Sequence, residues 1–363
     1  MNVKSTLHDI LPYLLKPLSW IYGGITALRN WLFDKNVLPV EEFDVPVVSV
    51  GNLTAGGTGK TPHVEYIAGM LSASYKIAVL SRGYKRKTRG FLLANDHSTP
   101  ESVGDEPLQI YLKLGPRVKV AVCENRRKGI KELIRLFPDI QLVILDDAFQ
   151  HRYVKPKINI LLMDYARPTY KDALLPLGRL RENAHQISRA DMVVVTKCPE
   201  NLPPIQYRIV SKYLDLRPYQ KLYFSSLSYG VLTPVFPNDH PYTVELGQLN
   251  QRDSVLLVTG IANPRGFIRH FRHYPFRVKI AHFPDHHDFS RADVEALQKM
   301  FSSLKGERKI IITTEKDAVR LAYNPYFPVM LKQSTYFIPV RVRMLEALDD
   351  KDFIHDLINE SGK

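Results

Sequence analysis

A glycine-rich segment, GNLTAGGTGKTP at residues 51–62, has the composition of a phosphate-binding loop. A mostly β-branched apolar run at residues 47–50 precedes it and an amphipathic stretch at residues 63–72 follows it, so we predict that the loop joins a strand to a helix. In that setting glycines let backbone N–H groups surround phosphate oxygens, and the start of the helix adds partial positive charge. The sequence therefore predicts a P-loop, with nucleotide contacts from Thr54, Ala55, Gly56, Gly57, Thr58, Gly59, Lys60 and Thr61.

Two side chains at the end of this loop carry the expected chemistry. Lys60 is placed to bridge the β- and γ-phosphates of ATP, and the Thr61 hydroxyl to hold Mg²⁺. Thr54 stands where the common pattern has its first glycine, and Ala55 where many deviant P-loops of the MinD and dethiobiotin synthetase class carry a lysine. ATP and Mg²⁺ are thus the predicted cofactors of a deviant P-loop.

Carboxylates that could complete a metal site follow a second apolar run. Residues 141–145 read QLVIL and lead directly into Asp146 and Asp147. An apolar strand that ends in acids is a Walker-B arrangement, which brings a carboxylate beside the bound phosphates. We therefore expect both runs to be neighbouring strands of one parallel sheet.

Further polar segments are rich in catalytic residue types. Asp105 lies in GDEP at residues 104–107, where it could act as a base or cap a helix. His286 and His287 lie in FPDHHDF at residues 283–289. Adjacent histidines in an extended segment point to opposite faces, which disfavours a shared metal ion and favours one histidine held by an acid, with a surface loop as the alternative.

The motifs together resemble those of the tetraacyldisaccharide 4′-kinase family. They are, in order, GNLTAGGTGKTP, SRGY, GDEP, DDAFQH, LLPLGRLRE, FPDHHDF and TTEKDAVRL, and they span residues 51–321. The resemblance implies an enzyme of lipid A biosynthesis that transfers the γ-phosphate of ATP to the 4′-hydroxyl of tetraacyldisaccharide 1-phosphate. It also implies a peripheral or monotopic protein on the cytoplasmic face of the inner membrane, with no obligate protein partner.

The resemblance and the residue chemistry together give each candidate a role. Asp105 is expected to be the base, assisted by His286, with Lys60 completing the catalytic set. Thr61 and Asp147 are expected to arrange Mg²⁺ together with Asp146 or Glu182. The expected contacts to the acceptor come from Arg82, Gln150, His151, Arg179 and Arg181. Two alternatives are a membrane-recruited P-loop NTPase switch and a synthetase of the MinD and dethiobiotin synthetase class.

The composition limits the kinds of partner that the protein is expected to bind. The 363-residue chain has a net charge of +13, which indicates either an anionic partner or a solubilising surface. No zinc-finger or RNP-type motif accompanies the basic clusters, so we expect no nucleic-acid partner. The two cysteines, Cys123 and Cys198, match no metal-ligand spacing and are expected to be buried thiols in a reducing compartment.

An apolar segment at residues 11–33 could contact a membrane or pack on the protein. Lys16 and Arg29 interrupt it, so the uncharged run is shorter than the ~20 residues of a spanning helix. Trp20, Tyr22 and Trp31 suit an amphipathic helix in the membrane interface, and a packed N-terminal helix is the alternative.

Alternation of strand-like and helical stretches predicts the fold. We expect an α/β protein with a P-loop NTPase-type parallel sheet covered by helices on both faces, plus a smaller second α/β domain and an amphipathic membrane-interface helix. The predicted divisions are the helix at 1–35, the kinase core at 36–215, linker strands at 216–245, and a C-terminal domain at 246–363 that closes the cleft. Residues 335–342 are expected to form the last strand.

Overall fold

The structure, a computed structural model, describes residues 3–345 and 350–362. Its strands are β1 (Val47–Gly51), β2 (Ile77–Ser81), β3 (Leu92–Leu93), β4 (Val118–Val122), β5 (Leu142–Asp146), β6 (Ile158–Asp164), β7 (Met192–Thr196), β8 (Lys221–Tyr229), β9 (Thr233–Pro234), β10 (Ser254–Thr259), β11 (Arg277–His282), β12 (Lys309–Thr314), β13 (Thr335–Ile338) and β14 (Val340–Met344). Its helices are α1 (Val3–Asp34), α2 (Lys60–Leu71), α3 (Pro100–Val103), α4 (Asp105–Leu114), α5 (Arg126–Leu136), α6 (Pro204–Leu214), α7 (Arg265–Phe271), α8 (Arg291–Ser302), α9 (Glu315–Ala322), α10 (Val329–Lys332) and α11 (Asp350–Gly362).

The first sheet has nine strands in the order β14-β8-β7-β6-β1-β5-β2-β4-β3. β1 pairs in parallel with β5 on one side and β6 on the other, and only the outer strands β3 and β14 pair antiparallel to their neighbours. The carboxyl ends of parallel strands share one edge, so the loops after β1 and β5 meet at the centre of the sheet. The predicted adjacency of the P-loop and the paired aspartates is confirmed at this level of the fold.

Helices cover both faces of this sheet because the strands are apolar on both sides. Val48 and Val50 pack with Val64 of α2 in one buried cluster, while Val47 packs with Ile130 of α5 in another. Successive side chains of a strand point to opposite faces, so a central strand buried on both sides has a continuous apolar run. The predicted α/β class with two covered faces is confirmed.

A second, five-stranded sheet has the order β11-β10-β12-β13-β9 and is parallel except at β9. Phe267 and Phe271 of α7 pack in one apolar cluster with this sheet, and Val294 and Leu297 of α8 pack in another. This sheet forms the core of the expected smaller α/β unit.

The last part of the chain returns to the first sheet. Residues 335–342 are not one strand, because Pro339 separates β13 in the second sheet from β14 in the first. After β14, α11 buries Phe353 and Leu357 in the same cluster as α2 and β1. The domain boundaries stay a prediction, to which this packing adds that residues 340–344 and 350–362 associate with the first sheet.

The N-terminal helix α1 has one packed face and one exposed apolar face. Ser19 and Tyr22 donate hydrogen bonds to the carbonyls of Leu174 and Arg181, and Phe33 is buried. Large apolar side chains stay exposed on the other side, namely Leu18, Trp20, Ile21, Ile25, Leu28 and Trp31. Among the residues that the structure describes, none of the helices combines the length and hydropathy of a membrane span.

Candidate active site

The loop between β1 and α2 has the backbone of a phosphate cradle. Gly56 and Gly59 have φ angles of 114° and 85°, a region that side chains other than glycine rarely adopt. α2 begins at Lys60, so the first N–H groups of the helix lack intrahelical partners and are available to an anion. The Ala55 N–H donates to the Arg179 carbonyl at 2.7 Å, which ties the loop to the LLPLGRLRE segment.

Lys60 lies among polar groups that hold it near the phosphate site. Its Nζ is 3.4 Å from Asn52 Oδ1 and 3.6 Å from Asp147 Oδ1. Arg181 Nη1 approaches both oxygens of Asp147, at 3.1 and 3.2 Å. Burial alone would raise the pKa of Asp147, but the charges of Lys60 and Arg181 outweigh burial and lower it. Asp147 is therefore an anion, and its φ of 48° is an unusual backbone conformation for a residue with a side chain.

Asp146, the last residue of β5, is a buried carboxylate without a partner. Both of its oxygens lack a hydrogen bond from any described residue. Burial raises its pKa to about 7, and the nearby charges of Glu106 and Asp147 add to the effect. A divalent cation would satisfy these oxygens and favour the charged carboxylate, so the residues fit Mg²⁺. The described residues contain no group of three His, Cys, Asp or Glu side chains arranged to hold a metal by themselves.

Glu182 is engaged elsewhere, in contrast to its predicted alternative role at the metal. It is buried, and its two carboxylate oxygens accept hydrogen bonds from Asn30 Nδ2 at 3.0 Å and from Arg189 Nη2. Arg29 of α1 adds a charge at 3.9 Å. In the structure this carboxylate therefore joins α1 to the LLPLGRLRE segment.

Asp105 and His286 come together across 181 positions of sequence. His286 Nδ1 is 3.3 Å from Asp105 Oδ2, and Arg320 Nε donates to the same oxygen at 2.8 Å. Burial would raise the pKa of Asp105, but the hydrogen bonds from His286 and Arg320 outweigh burial and lower it to about 2. The N-cap of α4 is Gly104 without a side-chain hydrogen bond, so the capping interpretation of Asp105 is wrong.

His286 and His287 have separate partners, as the alternating geometry predicts. His287 Nε2 lies 3.0 Å from Asp293 Oδ2, in a capping box at the start of α8. His286 has a φ of 56°, a strained conformation for histidine that turns its ring toward Asp105. Of the two histidines, the structure places His286 beside the candidate base.

The candidates for the acceptor lie around the paired aspartates. Gln150 Nε2 donates to the Asn52 carbonyl at 2.8 Å, and Arg181 Nη1 is 3.4 Å from Gln150 Oε1. Burial and nearby arginines, among them Arg82, lower the pKa of His151 to about 4, and its Nε2 has no partner among the described residues. Arg179 lines a pocket with residues 54–58 of the P-loop. Gln150 and Arg181 thus contact each other beside Asp147, Arg82 lies near enough to His151 to affect its pKa, and Arg179 lies beside the P-loop.

Sequence reasoning missed several residues of this region. Arg126 belongs to a basic cluster for which the sequence indicates either an anionic partner or a solubilising surface, and it is buried near Asp146. Lys197, after β7, donates to the Gly57 carbonyl of the P-loop and to Asp164 Oδ2. Lys316 and Arg320 lie in TTEKDAVRL, a motif in which the sequence predicts no residue role. Position after a strand would have indicated Lys197, but burial of Arg126 has no local signal.

Comparison with known proteins agrees with this geometry. The family model described as tetraacyldisaccharide-1-P 4′-kinase, LpxK, matches residues 11–360. A tetraacyldisaccharide 4′-kinase of Bacteroides thetaiotaomicron is 48% identical over 344 residues, covering 93% of this chain and 90% of that protein. The corresponding protein of Flavobacterium johnsoniae is 41% identical, covering 92% and 93%.

A solved structure extends the similarity to three dimensions. The crystal structure of LpxK from Aquifex aeolicus in complex with ATP has a TM-score of 0.73 and 29% identity to this chain, covering 97% of this chain and 99% of that one. The family match and the relatives extend over nearly the whole chain, and the motifs lie where a P-loop kinase needs them. The chain therefore belongs to the family of tetraacyldisaccharide 4′-kinases.

Proposed function

We propose that the protein transfers the γ-phosphoryl group of ATP to the 4′-hydroxyl of tetraacyldisaccharide 1-phosphate, a step of lipid A biosynthesis. One observation carries the proposal: a P-loop with an unpartnered acid lies beside a carboxylate held by a histidine. The charge of Glu106, the neighbour of Asp105 at the start of α4, helps to raise the pKa of Asp146, which supports a position of Asp105 near the phosphate region. The family membership supports the same reaction.

The nucleotide is held by residues 54–61. Backbone N–H groups of the glycine loop and of the first turn of α2 donate hydrogen bonds to phosphate oxygens. The ammonium group of Lys60 exchanges Asp147 for the β- and γ-phosphates. Thr61, Asp146 and Asp147 would hold Mg²⁺, and Glu182 is left out because its oxygens accept hydrogen bonds from Asn30 and Arg189. When bound, Mg²⁺ neutralises charge that develops on the transferred group.

The acceptor is oriented by the basic region. Arg82, Gln150, His151, Arg179 and Arg181 offer donors for the sugar hydroxyls and for the anionic 1-phosphate. Arg181 is paired with Asp147 in the structure, so its guanidinium already lies next to the metal-binding carboxylates. Because the transition state is loose and highly charged, positioning and charge neutralisation supply most of the catalysis.

Asp105 accepts the proton of the 4′-hydroxyl, assisted by His286. A sugar hydroxyl must lose its proton during or after attack, and a carboxylate within hydrogen-bond reach provides the base. Asp105 has an oxygen for this task, since its hydrogen bonds from His286 and Arg320 all reach Oδ2.

The membrane surface is reached through α1. Its exposed apolar side chains include Trp20 and Trp31, which suit the boundary between headgroups and acyl chains. The lipid substrate and this helix together favour a peripheral or monotopic protein on the cytoplasmic face of the inner membrane.

The decisive experiment incubates the protein with γ-labelled ATP, Mg²⁺ and tetraacyldisaccharide 1-phosphate, with Lys60→Ala as the matched control. We expect labelled lipid with the wild-type protein and none with the variant. ATP hydrolysis without labelled lipid would favour the NTPase switch, and ATP consumption only with an added carboxylate would favour the synthetase.

A further inference from the structure

Helix α9 presents two cations to the candidate base and its histidine. Lys316 Nζ is 2.9 Å from His286 Nε2, and Arg320 donates to Asp105 Oδ2 through Nε and Nη2. α9 packs against the second sheet through Ala318 and Leu321. Asp105 begins α4, which packs on the first sheet, so these contacts cross from one unit to the other.

The guanidinium of Arg320 is held by Asp317 as well as by Asp105. Its Nη1 donates to Asp317 Oδ1 at 3.0 Å, and Asp317 is completely buried. The other oxygen of Asp317 accepts hydrogen bonds from the Gly260 N–H at 2.8 Å and from the Thr314 hydroxyl at 2.7 Å. A guanidinium held on one edge in this way offers its remaining N–H groups in a set direction.

Arg320 therefore anchors one oxygen of the base and leaves the other open. The hydrogen bonds to Asp105 from Arg320 and from His286 end on Oδ2. Oδ1 receives no hydrogen bond from any side chain or backbone group in the described part of the chain. This arrangement fixes the rotation of the carboxylate about its last torsion, which is otherwise broad.

Lys316 determines which nitrogen of His286 carries the proton. An ammonium group only donates, so Nε2 must accept from Lys316. The proton of the neutral ring is then on Nδ1, where it donates to Asp105 Oδ2 at 3.3 Å. The 3.1 Å approach of Arg320 Nη2 to Nδ1 is then a contact between two donors that converge on the same oxygen.

We infer that Arg320 and Lys316 are positioning residues for the transfer of the acceptor proton: Arg320 anchors the Asp105 carboxylate, and Lys316 sets the tautomer of His286. The inference rests on the proposed function. Neither residue is assigned contact with ATP or with the acceptor, and both act through another side chain.

Other charged groups face this cluster and contribute to its pH dependence. Glu106 lies 2.9 Å from Lys316 Nζ, and Asp285 lies 3.6 Å from it. Tyr84 packs edge-on against the His286 ring at 5.0 Å, and Lys85 donates to the His286 carbonyl. Arg320 is one of the groups that keep the pKa of Asp105 low, so its removal raises that pKa.

Double variants test the kinetic role. Arg320→Gln is expected to lower kcat by about 10–100-fold with little change in the KM for ATP, because a misplaced base slows transfer without removing a phosphate contact. In the Asp105→Asn background the same substitution should cause no further loss. Lys316→Met should likewise lower kcat in the wild-type background and cause no further loss in the His286→Ala background. Arg291→Gln, which changes an exposed arginine paired with Glu295, is the matched control and should leave kcat unchanged.

A pH profile separates positioning from a structural role. The acidic limb of the kcat/KM profile should move to higher pH in Arg320→Gln and move back in Arg320→Lys, whereas a purely structural role leaves its midpoint in place. Losses that add to those of Asp105→Asn and His286→Ala, or an unchanged acidic limb, would overturn the inference.

A tautomer measurement keeps this inference distinct from the proposed function. In protein labelled with ¹⁵N-histidine, the His286 signals should report a proton on Nδ1 in the wild type and a changed ratio of tautomers in Lys316→Met. This readout requires no turnover. Wild-type protein that shows the Nδ1–H signal but labels no lipid would refute the function and keep the geometry, whereas an Nε2–H signal would refute the geometry alone.

Discussion

Asp105→Asn removes a charge on which both catalysis and stability depend. The pKa of Asp105 is lowered from 3.8 to about 2 by its partners His286 and Arg320. Since one pKa unit corresponds to about 1.4 kcal/mol, the ionised carboxylate stabilises the folded protein by roughly 2–3 kcal/mol. This stabilisation is complete above the unfolded-state pKa and is lost as the pH falls through about 2. At neutral pH the substitution should therefore lower the free energy of unfolding by about that amount.

The kinetic effect of the same substitution should be larger. Loss of a general base lowers kcat by roughly 10²–10⁴-fold, while ATP binding depends on the P-loop and should stay near normal. The assay measures labelled lipid over time, together with thermal unfolding and nucleotide affinity of the same preparations. Asp96→Asn is the matched control, because Asp96 is an exposed loop residue that accepts a hydrogen bond from Tyr111 of α4, the helix that begins at Asp105. A variant with normal kcat and reduced stability would make Asp105 an ion-pair partner only and leave the base unassigned.

Three further substitutions test the other assignments. Lys60→Ala should abolish transfer without lowering the unfolding temperature appreciably, and residual wild-type turnover would remove the P-loop assignment. The double variant Trp20→Ser and Trp31→Ser should release the protein from vesicles that contain anionic lipid, whereas the control Val329→Ser, at an exposed apolar residue of α10, should not. Equal binding of all forms would exclude the exposed face of α1 as the membrane-binding surface. Glu182→Gln should lower the free energy of unfolding by about 3–5 kcal/mol, because it leaves the mostly buried guanidinium of Arg189 without its counter-ion, and should leave the Mg²⁺ dependence of kcat unchanged. A raised Mg²⁺ requirement in this variant would return Glu182 to the metal site.

The sequence predicts most of the first sheet because burial on both faces leaves a local signal. β1 and β5 are mostly apolar runs, and each lies within one residue of its predicted bounds at either end. By contrast, β11 is an edge strand in which five of six residues are exposed, so it lacks the buried apolar run that indicates the central strands. The sequence predicts one strand at residues 335–342 because Pro339 is a single residue between two strand-like runs, and only tertiary pairing sends β13 and β14 to different sheets.

Site residues could be predicted where a motif is continuous in the sequence, and not where their partners are far away in the chain. The P-loop is local, so Lys60 and Thr61 could be assigned from spacing alone. Glu182 is an acid in a polar segment whether it binds a metal or an arginine, and its partner Asn30 lies 152 positions away. Arg320 reaches Asp105 across 215 positions, a separation over which neither periodicity nor spacing carries information.

Helix α4 connects the two halves of the proposed reaction. Its first two residues pair with α9, Asp105 with Arg320 and Glu106 with Lys316, and near its end Lys113 pairs with Glu315 of α9. Lys113 also pairs with Glu65 of α2, the helix that starts at Lys60. Through these pairs α4, and with it the proposed base, is attached to the phosphate-binding helix on one side and to α9 on the other. His286 follows β11 and Arg320 lies on α9, so the proposed proton acceptor keeps both partners only while α9 remains docked on α4.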